Sequence, residues 1–227
     1  MVQYMLILVS IISLSCVIAC PQIISAQESG ESFLTYVNST YGITINYPSD
    51  WDKAATGIPI EGVRLGKLNM SVVVTFFPPD RLVSIGVMTA KLPSNETQNL
   101  SDFNNTAISR VFRSMMPGVK VEGDNTTLAG SAAKNITLMG TIPISEFKEK
   151  FRNTLPPEMI DTLELIGVKE LTIKGMIIFT IIGDRIYGIN YASTMPTGSE
   201  DPFSLYLHTV QKMIKSFKVI DAERNFQ

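Results

Sequence analysis

Two apolar runs joined by only two residues constrain this chain more than any other feature. Residues 171–182 and 185–192 are rich in β-branched and aromatic side chains, and Gly183-Asp184 alone separates them. So short a connection joins antiparallel neighbours, because parallel strands need a long crossover. Glycine in the first central position suits a type II′ turn. The fold must therefore contain an antiparallel sheet with this pair inside it.

Other stretches add strands. Ile43, Ile45 and Tyr47 alternate with Thr44 and Asn46, the period of a half-buried strand. Residues 33–37 supply its partner across the polar turn Asn38-Ser39-Thr40, and Pro48 ends it. Trp51, the single tryptophan, follows directly. Tyr47 and Trp51 are expected to pack with the last helix and close one end of the core. Residues 52–57 read as loop, and residues 63–65, 71–77, 82–90, 119–122 and 133–141 as strands, the last two joined by a turn rich in Gly, Asp and Asn. The nearly continuous apolar run at 71–77 reads as a central strand.

Helices are predicted in three places. Ser101 or Asp102 caps the first, with Phe103, Ala107, Ile108, Val111, Phe112 and Met115 on one face. Residues 143–167 form a helical insert, with Phe147 and Phe151 inward in its first part and Gly167 closing its second. Asp201 and Pro202 begin the last helix as cap and first residue, with Phe203, Leu207, Val210 and Ile214 as its buried stripe. Residues 216–220 make a short terminal strand or an extended tail.

The run Tyr41-Gly42-Ile43, Ile45, Tyr47-Pro48 and Trp51 resembles the opening of the PsbP-like domain, in the Mog1/PsbP fold group. Gly62-Val63-Arg64-Leu65, residues 69–77, Leu128-Ala129-Gly130-Ser131-Ala132 and the closing Ser216-Phe217-Lys218-Val219 follow in the family's order. The resemblance covers residues 32–220. It implies an α+β fold in which a central antiparallel β-sheet is flanked by helices on both faces, an α/β/α sandwich. It also implies a protein that binds or assists a complex: photosynthetic members assist the oxygen-evolving complex, and others are exported prokaryotic proteins.

The N-terminus directs the chain outward. Residues 4–19 are almost wholly apolar, about 16 residues where a membrane span needs ~20. Ile24-Ser25-Ala26 offers a small-residue cleavage site. Residues 1–26 thus read as a signal peptide, with an N-terminal anchor as the alternative. Residues 27–32 form a flexible lead, 33–220 a single PsbP-like domain and 221–227 a tail. Val17-Ile18-Ala19-Cys20 resembles a lipoprotein box, which makes Cys20 a candidate lipidation site.

Seven Asn-x-Ser/Thr sequons stand at Asn38, Asn69, Asn95, Asn99, Asn104, Asn125 and Asn135, and none lies beyond residue 138. Chance placement would give about two, so the clustering points to an exported glycoprotein. Membrane association through the N-terminus and a location on the extracellular face follow from the same reading.

Chemistry is thinly provided. Both cysteines, Cys16 and Cys20, precede the folded body, which therefore has no disulfide and no thiolate nucleophile. The one histidine, His208, sits on the last helix, and no nucleophile elbow or phosphate-binding glycine loop is present. Asp50 with Asp52, and Glu200 with Asp201, lack the spacing of a calcium loop. The 11 methionines are scattered, as core filler usually is. With 19 basic and 21 acidic side chains there is no patch for nucleic acid.

No catalytic residue, metal site or cofactor is expected. The reading is an exported, non-enzymatic binding or assembly and stability factor, with a protein partner at a membrane or cell-surface complex. Its alternatives are a carboxylate-based hydrolase or small-ligand-binding protein, and a structural glycosylated envelope protein.

Overall fold

A computed structural model describes residues 32–54, 59–65, 68–92, 99–100, 109, 112–113, 116, 118–151 and 167–220. Eleven strands are seen: β1 (Phe33–Asn38), β2 (Ile43–Pro48), β3 (Asp52–Ala54), β4 (Pro59–Leu65), β5 (Leu68–Phe77), β6 (Val83–Lys91), β7 (Lys120–Leu128), β8 (Ser131–Pro143), β9 (Glu170–Ile182), β10 (Arg185–Pro196) and β11 (Lys218–Val219). Two helices are bounded, α1 (Ile144–Phe151) and α2 (Pro202–Ser216).

The main sheet runs β3-β5-β6-β10-β9-β8-β7, with β4 also on β5. Every pairing in it is antiparallel. The β9–β10 hairpin stands in its middle, in the register expected, with Arg185 opposite Ile182. Gly183 has φ +61° and Asp184 does not share the left-handed region, which agrees with a II′ turn.

Three predicted segments differ. The strand at 71–77 is not central: β5 stands one place from the edge, and β3 and β4 share its outer side. Its apolar run reflects cover on both faces rather than central position. Part of the expected loop at 52–57 pairs as β3. The expected wide turn between β7 and β8 is strand, and the reversal falls on Ala129-Gly130, with φ +52° and +78°. Two successive left-handed residues make a tight I′-type reversal, and the polar residues before it extend the ladder.

The expected sandwich with helices on both faces is corrected. The chain is mostly strand, and one face carries a second sheet, β1-β2-β11, beside α2. Ile43, Ile45 and Tyr47 of β2 bury against Val73, Val74 and Phe76 of β5. The hairpin therefore packs on the main sheet instead of extending it, and takes the place of a helical layer. Gly42 makes the closure possible. It has φ +61°, and a Cβ there would meet the Ile220 carbonyl oxygen at 2.6 Å. Ile220 N donates to the Gly42 carbonyl at 2.6 Å, which ties the C-terminal strand to β2.

The opposite face buries Phe112, Met116, Val119, Ile136, Leu138, Phe147, Leu171 and Phe179. Ser109, Phe112 and Arg113 are helical, in the predicted first helix. Phe147 of α1 is buried as expected. The second half of the predicted insert, residues 152–166, lies outside the described residues.

Candidate functional site

The polar groups with shifted protonation gather where α2 meets the main sheet. Pro202 fixes the first turn, and Asp201 ahead of it has extended φ and ψ. Asp201 does not cap the helix through its side chain as predicted. Its Oδ2 instead accepts from Lys174 Nζ on β9 at 2.7 Å and from Ser204 Oγ at 2.6 Å. Burial pushes this carboxyl up, but the Lys174 and Ser204 hydrogen bonds and the Lys174 charge outweigh it, and the group ends below its ordinary value.

Two tyrosines complete the joint. Tyr191 of β10 donates its hydroxyl to the Phe203 carbonyl at 2.6 Å and stacks on the Phe203 ring at 4.4 Å. Burial, then the nearby Asp201 charge, raises the Tyr191 hydroxyl well above the ordinary phenol value. Tyr206, one turn along α2, donates to Asp80 Oδ2 at 2.6 Å. Burial, the hydrogen bond to Asp80 and the charges of Asp80 and Asp50 raise it as well. Asp80 is itself held, since its Oδ1 accepts from Leu82 N at 3.0 Å.

Trp51 packs edge-on against Tyr206, ring centroids 5.7 Å apart and planes at 81°, and is 6% exposed. Tyr47 stacks on Phe76 at 4.8 Å and accepts from Lys53 Nζ at 3.0 Å. The predicted closure of one end of the core by Tyr47, Trp51 and the last helix is what forms. Asp52 takes an exposed ion pair with Arg81 at 3.1 Å. Such a pair contributes only ~0–1 kcal/mol.

This constellation fastens a helix. Each shifted group makes a hydrogen bond within it, Asp201 through Oδ2, while Asp201 Oδ1 is buried without a partner. His208 is exposed on α2. Among the described residues, no three His, Cys, Asp or Glu side chains are placed to hold a metal ion. Sequence reading missed Lys174, Asp80, Tyr191 and Tyr206. A lysine inside the otherwise apolar β9 run is the one signal that pointed to a buried partner.

The predicted modification sites scatter. Asn125 is exposed on β7 and accepts from Lys134 Nζ at 2.6 Å. Asn135 is half-buried on β8, paired on both sides, and its Oδ1 is buried without a partner. Asn38 ends β1; its Nδ2 donates to the Tyr36 hydroxyl and its Oδ1 accepts from Tyr41 N. Asn99 is exposed. Asn69 is on β5, and nothing of its side chain is described. Asn95, Asn104 and Cys20 lie outside the described residues, as does the predicted export segment. The structure brings none of these sites together. Among the described residues no helix is long and apolar enough to cross a membrane.

The strand edges are the remaining surface with binding chemistry. β1 borders the small sheet and pairs only with β2 among the described strands. Leu34 and Val37 on it are 47% and 59% exposed.

Several solved structures are similar in fold. Cyanobacterial PsbP (CyanoP) from Synechocystis sp. PCC 6803 is 14% identical, over 87% of this chain and 98% of that one, with a TM-score of 0.49. The Saccharomyces cerevisiae Ran-binding protein Mog1p is 10% identical, over 85% and 98%, with a TM-score of 0.48. LpqN of Mycobacterium tuberculosis, involved in cell envelope biogenesis, is 9% identical, over 86% and 88%, with a TM-score of 0.44. No known protein-family profile matches the chain, and neither does any curated protein sequence.

Proposed function

We propose that this chain is an exported, non-enzymatic binding protein that serves as an assembly or stability factor for a membrane or cell-surface complex. The observation that carries the non-catalytic part is the occupation of its unusual polar groups. Tyr191, Tyr206 and Asp201 are the groups with shifted protonation, and each spends its hydrogen bond on holding α2 to the sheet. A catalytic carboxylate or phenol has to face a substrate with that same atom. The carboxylate-hydrolase alternative loses support at Asp80, whose two oxygens accept from Leu82 N and from the Tyr206 hydroxyl. The apolar N-terminus and the clustered sequons support export. Asn125 and Asn99 stand exposed, where a glycan has room.

The test is cross-linking on intact cells, followed by isolation of this chain from the membrane and cytosolic fractions. A discrete adduct with one envelope protein, recovered from the membrane fraction, supports the proposal. An unadducted chain confined to the cytosol contradicts it.

A further inference from the structure

Strand edges with free main-chain groups pair with other strands unless something blocks them, and charged side chains are the usual block. The described edge strands of both sheets can be compared on that basis. β7 carries Lys120, Glu122 and Asp124, and β3 is Asp52-Lys53-Ala54. β4 contains Glu61 and Arg64, and β11 is two residues long with Lys218. β1, Phe-Leu-Thr-Tyr-Val-Asn, alone has no charge.

The register tells which of its main-chain groups are free. Ser49 N donates to the Ser32 carbonyl at 2.9 Å, so the pair 32–49 is a hydrogen-bonded one. Hydrogen-bonded pairs alternate along an antiparallel ladder. Leu34, Tyr36 and Asn38 therefore bond to Tyr47, Ile45 and Ile43. The N–H and C=O groups of Phe33, Thr35 and Val37 point away from β2, out of the sheet.

From this edge we infer that β1 pairs antiparallel with β1 of a second copy about a two-fold axis at Thr35. In that register Phe33 meets Val37 of the second copy, Thr35 meets its own equivalent, and the outward groups satisfy one another. No charged side chain lies along that seam. Leu34 explains itself in the same arrangement. It shares the inner face with the buried Tyr47 opposite it, yet is 47% exposed, with no described strand beyond it. Tyr36 of the second copy comes opposite Leu34 and continues the apolar face. An interface that uses one surface on both copies closes as a dimer and does not propagate as a lattice. The pairing stands on edge geometry alone and is independent of the function proposed above.

The test uses the full chain in mild detergent. Light scattering over a concentration series should give twice the monomer mass. Val37→Lys should be monomeric with an unchanged circular dichroism spectrum, because Val37 is exposed and faces no core. A disulfide needs Cα atoms about 4.4–6.8 Å apart, and hydrogen-bonded antiparallel partners are about 5.5 Å apart. Thr35→Cys, with Cys16 and Cys20 changed to Ser, should therefore give a covalent dimer on oxidation. Lys120→Cys on β7 in the same background should not. A monomer at every concentration, a dimer that survives Val37→Lys, or no cross-link through Cys at 35 overturns the inference.

Discussion

Replacing Trp51 by alanine is the sharpest test of how the core is closed. The ring is 6% exposed, lies edge-on to Tyr206 and shares a cluster with Tyr47, Phe76 and Phe217. Truncating a buried large aromatic costs ~3–5 kcal/mol, transfer and cavity together. The edge-on geometry supplies ~0.5–1.5 kcal/mol of interaction beyond area. In a domain of this size 1 kcal/mol moves the midpoint by ~2–4 °C. Trp51→Ala should therefore melt roughly 6–20 °C lower by circular dichroism, again from the 2–4 °C scale. Trp51→Phe should recover about half of that loss, because most of the buried surface returns. As the single tryptophan, Trp51 also reports on itself: emission should be short in wavelength and resist iodide. Long-wavelength, readily quenched emission together with an unchanged melting point would refute the packing and make Trp51 a surface contact.

Three further outcomes are expected. Asp201 is held below its ordinary value, so its contribution is present above about pH 4 and lost as pH falls through its folded value; Asp201→Asn should flatten the acid limb of a melting-temperature profile. Tyr191 and Tyr206 are held above theirs, so their contribution is present below about pH 10 and lost as pH rises further; Tyr206→Phe should remove part of the alkaline limb and cost ~1.5–3 kcal/mol for the bond to a charged carboxylate. Gly42→Ala forces a Cβ onto the Ile220 carbonyl at a left-handed φ, and should cost ~1–3 kcal/mol and speed hydrogen exchange at Ile220.

Local patterns were legible because they need only neighbours in sequence. The period of two in β2 and the Gly183 turn each follow from a few residues, and the structure keeps both; of the predicted α2 stripe it buries Val210 fully and Phe203, Leu207 and Ile214 in part, with Met213 buried beside them. The layer arrangement was not legible in the same way. It depends on β2 pairing with β11, some 170 residues away, rather than with the main sheet, and on Ser216 Oγ accepting from Asn46 N at 2.8 Å while it donates to the Met213 carbonyl. No local signal encodes that pairing, and the helical sandwich was the expectation it displaced. Ala129 hid the β7–β8 reversal because a left-handed φ is uncommon for alanine. The polar joint failed to show for the same reason as the layers. Lys174 with Asp201, and Tyr206 with Asp80, meet only once α2 lies across the sheet ends.

Mass spectrometry of the native protein, read at its N-terminus and at its sequon peptides, tests the proposed export most directly. The expected chain begins at Gln27 or at a lipid-modified Cys20, and its Asn125 peptide carries added sugar. An unmodified chain beginning at Met1 and recovered from the cytosol would contradict a role at the cell surface.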